Sequence, residues 1–218
     1  MDYLIHHMLR ASAERFPDKE ALVQGERRLT YSEVASLVAG LAQGLRELGI
    51  KRGERVGIFL DASIEQVISI FAIAQAGAVY VPINSVLFPD QVAHIAQNCG
   101  MKALISTGPK LHALMPALSA VSTLKFVVTV GGAEPEGALP GADFDQLART
   151  AVPPRWQDWG ISKDLAAILY TSGSTGKPKG VMLSHANVMA GATIVSTYLE
   201  ITHQDTILAV FPLASTPA

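Results

Sequence analysis

Residues 55–83 read RVGIFLDASIEQVISIFAIAQAGAVYVPI, and this stretch decides the fold. Two short apolar runs, at residues 55–60 and 79–83, stand on either side of an apolar helical stretch over residues 64–76. Gly77 follows that stretch where many helices end, and either Asp61 or Ser63 can cap its start. Apolar runs of this kind, joined by a helix, indicate neighbouring parallel strands that are buried on both faces.

The same alternation extends in both directions along the chain. The pattern predicts further helices over residues 3–15, 32–48, 90–98, 110–119 and 186–199. It predicts a hairpin over residues 20–31 and further strands at 102–106, 124–130, 165–170 and 181–183. Strands separated by helices, with right-handed crossovers, indicate an α/β fold with a mainly parallel sheet flanked by helices.

A change in composition suggests a joint between two subdomains. Residues 131–142 read GGAEPEGALPGA, which is rich in glycine and proline, and a second loop-like stretch follows at residues 153–160. We therefore predict an N-terminal α/β subdomain over residues 1–163, with the joint at about 131–163. A second subdomain begins at Asp164 and occupies residues 164–218.

Composition excludes several classes of protein. The chain has 218 residues, 49% of them hydrophobic, and a formal net charge of −2, which disfavours a nucleic-acid partner. Its single cysteine, Cys99, rules out an internal disulfide framework and fits a reducing compartment. An uncharged stretch lies between Glu65 and Asp90, but Gly77 and Pro82 interrupt it. We therefore expect no membrane span and no secretory signal, and a cytoplasmic location.

Residues 171–180, TSGSTGKPKG, carry the clearest chemical signal. Four hydroxyl side chains, three glycines and two lysines follow the predicted strand at 165–170. Glycines let backbone N–H groups turn toward an anion, and hydroxyl and ammonium groups add donors, so this composition suits a polyphosphate. The spacing does not fit a Walker P-loop, because two residues separate Gly173 from Gly176 and Pro178 follows Lys177. We infer a loop between two antiparallel strands.

Residues 170–185, YTSGSTGKPKGVMLSH, resemble the signature phosphate loop of the adenylate-forming superfamily. That superfamily includes acyl-CoA synthetases, adenylation domains of peptide synthetases and luciferases. Residues 29–33, LTYSE, and 76–84, AGAVYVPIN, resemble two further blocks of the family in the same order. The resemblance extends over the chain up to about Leu213 and is greatest to acyl-CoA synthetases.

The resemblance implies a two-step ligase. A carboxylate attacks the α-phosphate of MgATP, which gives an acyl-adenylate and pyrophosphate, and CoA then accepts the acyl group from the adenylate. The resemblance assigns the β- and γ-phosphates to seven residues, with Lys179 anchoring the loop and the pyrophosphate. Those seven are Thr171, Ser172, Gly173, Ser174, Thr175, Gly176 and Lys177.

By the same resemblance, the catalytic residues, the acyl pocket and the adenine segment are expected beyond residue 218. This chain is then the N-terminal portion of the ligase fold, and alone it is expected to be inactive. An incomplete domain would leave apolar surface uncovered, so self-association is also expected.

Three other functions remain open from the sequence. The chain can serve a carrier protein instead of CoA, since the two family blocks at residues 76–84 and 170–185 do not separate these acceptors. It can be a non-catalytic module that binds a nucleotide or another chain. A dinucleotide-binding oxidoreductase is disfavoured, because no Gly-x-Gly-x-x-Gly pattern follows the early strands.

The remaining candidate residues are assigned structural roles. We expect His6 and His7 to be solvated on the first helix, and His185 to close the signature segment. Tyr170 is expected to pack at a strand end, and Cys99 to be buried and inert. No metal site is predicted, since the other three histidines have no partner at metal-ligand spacing. Those three are His94, His112 and His203.

Overall fold

The computed structural model describes residues 4–132, 139–153, 158–171 and 178–209. Its helices are α1 (Ile5–Arg15), α2 (Tyr31–Glu47), α3 (Ile64–Gln75), α4 (Pro89–Cys99), α5 (Gly108–Leu118), α6 (Phe144–Ala148) and α7 (His185–Tyr198). Its strands are β1 (Glu20–Gln24), β2 (Arg27–Thr30), β3 (Arg55–Phe59), β4 (Val79–Pro82), β5 (Ala103–Thr107), β6 (Phe126–Val130), β7 (Gly141–Asp143), β8 (Leu165–Thr171) and β9 (Lys179–Ser184).

Seven of these strands form one sheet in the order β7-β6-β5-β3-β4-β8-β9. The strands from β7 to β8 are parallel to their neighbours, and β9 is antiparallel to β8. β1 and β2 make a separate antiparallel hairpin. The predicted α/β class, with a mainly parallel sheet, is confirmed.

Helices cover both faces of the sheet. Successive side chains of a strand point to opposite sides, so each central strand contributes to two cores. Val56 and Ile58 of β3 pack in a core with α1, α2 and α3, whereas Phe59 packs in a second core with α4 and α5. β5 divides in the same way, with Ile105 in the first core and Leu104 in the second. The central strands are mostly apolar because helices cover both of their faces.

Local signals set the ends of the helices around β3. Thr30 and Glu33 form a reciprocal capping box at the start of α2, and Gly49 after its end has a φ of +91°. At α3 the sequence left two candidate caps open. The Ser63 side chain accepts a hydrogen bond from the backbone N–H of Gln66 and is the cap.

The segment around residues 131–142 contains an element that sequence reasoning missed. The short strand β7 joins the edge of the sheet parallel to β6, so that Thr129 pairs with Asp143. This strand has only three residues and begins with a glycine, so its sequence shows no strand periodicity. It forms because the edge of β6 is free to pair with it. The predicted subdomain boundary near residue 163 stays a prediction, although β8 beyond it pairs with β4 in the same sheet.

Two glycines in helices provide a matched test of this packing. A Cβ atom added to Gly40 in α2 would lie 2.0 Å from the Ala148 carbonyl oxygen of α6, whereas one at Gly191 in α7 meets nothing within 4 Å. We expect Gly40→Ala to lower the free energy of unfolding by about 1–3 kcal/mol. Gly191→Ala should raise it by about 0.5–1 kcal/mol, because alanine is the better helix former. Urea denaturation measures both, and equal effects would contradict the close contact of α2 and α6.

Candidate functional site

The predicted phosphate loop begins and ends on adjacent strands. β8 ends at Thr171 and β9 begins at Lys179, and these two residues pair in the antiparallel ladder. The predicted antiparallel pair is therefore confirmed, and it brings Thr171 close to the exposed Lys179. The other six predicted site residues lie outside the described residues: Ser172, Gly173, Ser174, Thr175, Gly176 and Lys177.

The loop starts at the carboxyl edge of the parallel sheet, where α/β proteins bind their ligands. Asp61 follows β3 at this edge, Ser85 follows β4, and Lys110 lies near the start of α5 after β5. The Asp61 carboxylate lies 2.9 Å from the Lys110 ammonium. Hydrogen bonds from Ser85 and Lys110 lower the pKa of Asp61. Sequence reasoning missed this polar cluster, because its members belong to three separate strand ends.

Close packing fixes the two strands beside the loop. A Cβ atom on Gly180 would lie 2.8 Å from Ile168 Cγ2 and 3.2 Å from the Tyr170 ring, so this position requires glycine. The Tyr170 hydroxyl donates a hydrogen bond to Asn98 Oδ1, and burial raises its pKa to about 12. Tyr170 therefore packs at the strand end as predicted and stays neutral. Burial also raises the pKa of the neighbouring Cys99 thiol, in line with the inert role assigned to it.

A second polar cluster lies at the opposite end of β8. His6 Nε2 is 2.8 Å from Asp158 Oδ1, and His7 Nε2 is 3.0 Å from Asp158 Oδ2. Both histidines are buried, so the expectation that they are solvated is wrong. The start of α1 packs inward, and the residues before β8 cover it. Asp158 lies about 150 residues away in sequence, so local periodicity gave no signal of this contact.

His185 has the structural role that the sequence predicted. It is buried at the start of α7, and its Nδ1 accepts a hydrogen bond of 3.3 Å from the backbone N–H of Ile5. Burial lowers the pKa of His185. The end of the signature segment is therefore tied to the first helix rather than to the phosphate loop.

Burial also governs the charge of His6. Its pKa falls from 6.5 to about 4, because the loss of hydration outweighs the attraction of the Asp158 carboxylate. His6 is therefore a neutral hydrogen-bonding group at pH 7, and Asp158 accepts hydrogen bonds from the imidazole rings. This cluster is distinct from the candidate phosphate site and holds α1 against the residues before β8.

Comparison with known proteins gives matches over most of the chain. A family model described as AMP-binding enzyme matches residues 9–216. The chain is 34% identical to tyrocidine synthase 1 of Brevibacillus parabrevis over 203 residues, which are 93% of this chain and 17% of that protein. It is 36% identical to malpinin synthetase of Mortierella alpina over 186 residues, which are 85% of this chain and 2% of that protein.

Solved structures share the fold. The N-terminal domain of FACL13 from Mycobacterium tuberculosis, bound to an inhibitor, matches with a TM-score of 0.81 and 28% identity over 97% of this chain and 52% of that one. A long-chain-fatty-acid-CoA ligase (FadD1) from Archaeoglobus fulgidus matches with a TM-score of 0.84 and 25% identity. The match covers 99% of this chain and 44% of that one. The chain spans about half or less of these structures, and less than a fifth of the two synthetases. Among the described helices, none combines the length and apolar character needed to cross a membrane.

The histidine–aspartate cluster predicts acid sensitivity. Between pH 6.5 and about pH 4 the unfolded chain has a protonated His6 and the folded chain does not. The free energy of unfolding should therefore fall as the pH falls, by up to about 1.4 kcal/mol per pH unit. His6→Gln, which retains an N–H donor for Asp158, should weaken this dependence in urea denaturation with EDTA present.

The exposed His112 provides the control for this experiment. His112→Gln should keep the pH dependence of the unmodified chain. A His6→Gln variant whose stability falls with pH as steeply as that of the unmodified chain would contradict a neutral, buried His6.

Proposed function

Because this chain belongs to the AMP-binding enzyme family, we propose that it carries the phosphate-binding part of an enzyme that adenylates a carboxylic acid with ATP. The observation that carries the proposal is the 170–185 segment, whose sequence places hydroxyl, glycine and lysine residues between β8 and β9. The family match over residues 9–216 supports it. The geometry suits a polyphosphate because both ends of the loop are fixed at the carboxyl edge of the sheet.

In the proposed reaction, a carboxylate oxygen of the acid attacks the α-phosphorus of MgATP. The bond from that phosphorus to the pyrophosphate oxygen breaks, so negative charge accumulates on the leaving pyrophosphate. Preorganised hydrogen-bond donors around this charge would stabilise the transition state. We assign that role to residues 171–177 and to the ammonium of Lys179. At an effective dielectric constant of about 20, one ammonium about 4 Å from a phosphate charge contributes roughly 4 kcal/mol before the cost of desolvation.

The acyl acceptor is proposed to be a thiol, and two sources of that thiol are supported by different comparisons. The relatives at 30% identity or more include tyrocidine synthase 1 and surfactin synthase subunit 2, which favours the thiol of a carrier protein. The structural neighbours include a long-chain-fatty-acid-CoA ligase and an anthranilate CoA ligase, which supports CoA. We place the carrier-protein thiol first because the sequence identities are higher, and the preference for CoA drawn from the sequence stays a prediction.

The chain covers only part of the solved structures that it matches, and this affects the activity expected of the chain in isolation. It covers 52% of the FACL13 domain and 44% of the Archaeoglobus ligase. We therefore expect the 218-residue chain to bind ATP weakly and not to release pyrophosphate. A non-catalytic nucleotide-binding module would show the same weak binding and would stay inactive when the protein is expressed from its full reading frame.

ATP–pyrophosphate exchange tests the proposed function directly. With the protein expressed from its full reading frame and a panel of amino, fatty and aryl acids, we expect exchange with at least one acid. Lys179→Ala should reduce the exchange rate by about 100-fold or more, because it removes a cation from the developing pyrophosphate charge. Adding CoA or a phosphopantetheinylated carrier protein to the reaction then identifies the acceptor.

Lys163 provides the matched control for Lys179. It is also an exposed lysine, but it lies before β8 and therefore at the other end of that strand. Lys163→Ala should exchange pyrophosphate at the unmodified rate. Equal exchange rates for both variants would contradict the assignment of Lys179 to the phosphate site. Absence of exchange with every acid would favour the non-catalytic module.

Exposed apolar side chains on β9, α7 and the residues that follow predict self-association of the 218-residue chain. They are Val181, Met182, Ile194, Val195, Tyr198, Leu199, Ile207 and Leu208. Apolar groups clustered at one end of the chain favour contact with another apolar surface. Sedimentation velocity should show larger species as the protein concentration rises. Met182→Glu with Ile194→Lys should reduce them, whereas Val86→Lys, at an exposed site between β4 and α4, should not. A chain that stays monomeric throughout would contradict the prediction.

A further inference from the structure

The cluster of His6, His7 and Asp158 presents three metal-binding atoms to one point. One imidazole nitrogen from each histidine and a carboxylate oxygen lie within 4.8 Å of one another. The two rings meet edge to face, with centroids 4.7 Å apart and planes at 83°. We propose that these three residues form a structural Zn²⁺ site that ties α1 to the residues before β8. This site is independent of the proposed nucleotide chemistry.

The distances are close to those that a zinc ion requires. Zn²⁺ binds nitrogen and oxygen ligands at about 2.0–2.2 Å, which places tetrahedral ligand atoms about 3.4 Å apart. The observed separations are 2.8 Å from His6 Nε2 to Asp158 Oδ1 and 3.0 Å from His7 Nε2 to Asp158 Oδ2, and one donor atom from each residue can be chosen so that all three lie within 4.8 Å of one another. Side-chain rotations that bring the three donor atoms to about 3.4 Å from one another would admit the ion. The proton on each Nε2 would move to Nδ1 of the same ring, so that a neutral imidazole binds the ion.

The donor set favours zinc over the magnesium that accompanies ATP. Imidazole nitrogen is a ligand for Zn²⁺ and other late transition ions, whereas Mg²⁺ prefers six oxygen atoms. Two histidines and one carboxylate supply three protein ligands, one fewer than most structural zinc sites have, so water would take the fourth tetrahedral position. The rings of His6 and His7 are buried, but a quarter of the Asp158 side chain is exposed, so solvent and ions can reach the cluster.

Two features limit the affinity of this site. The Arg10 guanidinium lies 3.5 Å from Asp158 Oδ2 and competes with a metal ion for that oxygen. Because half of the Arg10 side chain is exposed, it can move away into solvent. His6 Nδ1, which carries the ring proton when Nε2 binds a metal, is buried without a hydrogen-bond partner among the described residues. We therefore expect moderate affinity that increases when Arg10 is removed.

The other charged groups near the cluster make contacts of their own and are not proposed as metal ligands. Arg46 lies 3.9 Å above the Trp159 ring, next to Asp158. The Asp164 carboxylate receives hydrogen bonds from Arg52 and from the backbone N–H of Ile161. His185 Nδ1 accepts from the backbone of α1. These contacts hold the described residues that follow Asp158 against the rest of the fold.

The position of the cluster assigns the ion a structural role. The six residue steps from Leu165 to Thr171 span about 20 Å along β8, and Asp158 lies before the first of them. An ion held there cannot contact a nucleotide bound at the loop after Thr171. It would connect two segments about 150 residues apart in the chain and so stabilise the folded state over the unfolded one.

Isothermal titration of the 218-residue chain with Zn²⁺ tests the site. We expect about one ion per chain, and no comparable heat from Mg²⁺. His7→Gln and Asp158→Asn should each weaken binding by more than about tenfold, while Arg10→Gln should strengthen it several-fold. His112→Gln, which removes an exposed histidine elsewhere, should leave the affinity unchanged. Circular dichroism verifies that each variant is folded.

Cobalt provides a second measurement that needs no variant. Co²⁺ bound to the unmodified chain should give the intense visible bands of a tetrahedral site, and Zn²⁺ should displace it. Zn²⁺ should also raise the thermal unfolding midpoint of the unmodified chain more than that of Asp158→Asn. Absence of the cobalt bands, or equal zinc affinity in the unmodified chain and both ligand variants, would overturn the proposal.

Discussion

The fold depends on the burial of both faces of the parallel sheet. β3 places Val56 and Ile58 in one core and Phe59 in the other, so helices must cover it on both sides. A parallel connection also requires a crossover, and α3 supplies it between β3 and β4. Once these strands are fixed, their carboxyl ends form one edge, and every loop that leaves that edge lies on the same side of the molecule.

The candidate phosphate loop takes its position from this edge. β8 joins the sheet through β4, and β9 returns antiparallel beside it, so Thr171 and Lys179 become neighbours. Gly180 allows the Tyr170 ring to pack against the second strand, which holds the pair together below the loop. The pairing of β8 with β9 therefore sets the positions of the two residues that border the loop.

The two ends of β8 differ in chemistry. The carboxyl end carries hydroxyl and ammonium groups suited to a phosphate, whereas the amino end lies near buried histidines and Asp158. The first set is contiguous in sequence and therefore visible as a motif. The second set is assembled from α1 and from residues about 150 positions later, and its histidines look like surface residues when the helix is considered alone.

The fold class, the position of nearly every helix and strand, and the antiparallel pair around the loop could all be predicted from the sequence. This is possible because those features follow from local periodicity, from caps such as Thr30 with Glu33, and from a contiguous motif. The edge strand β7, the burial of His6 and His7, and the contact of Asp61 with Lys110 became visible only in the folded structure. Each of these depends on which distant segments share a surface, and that is set by the packing of the whole sheet.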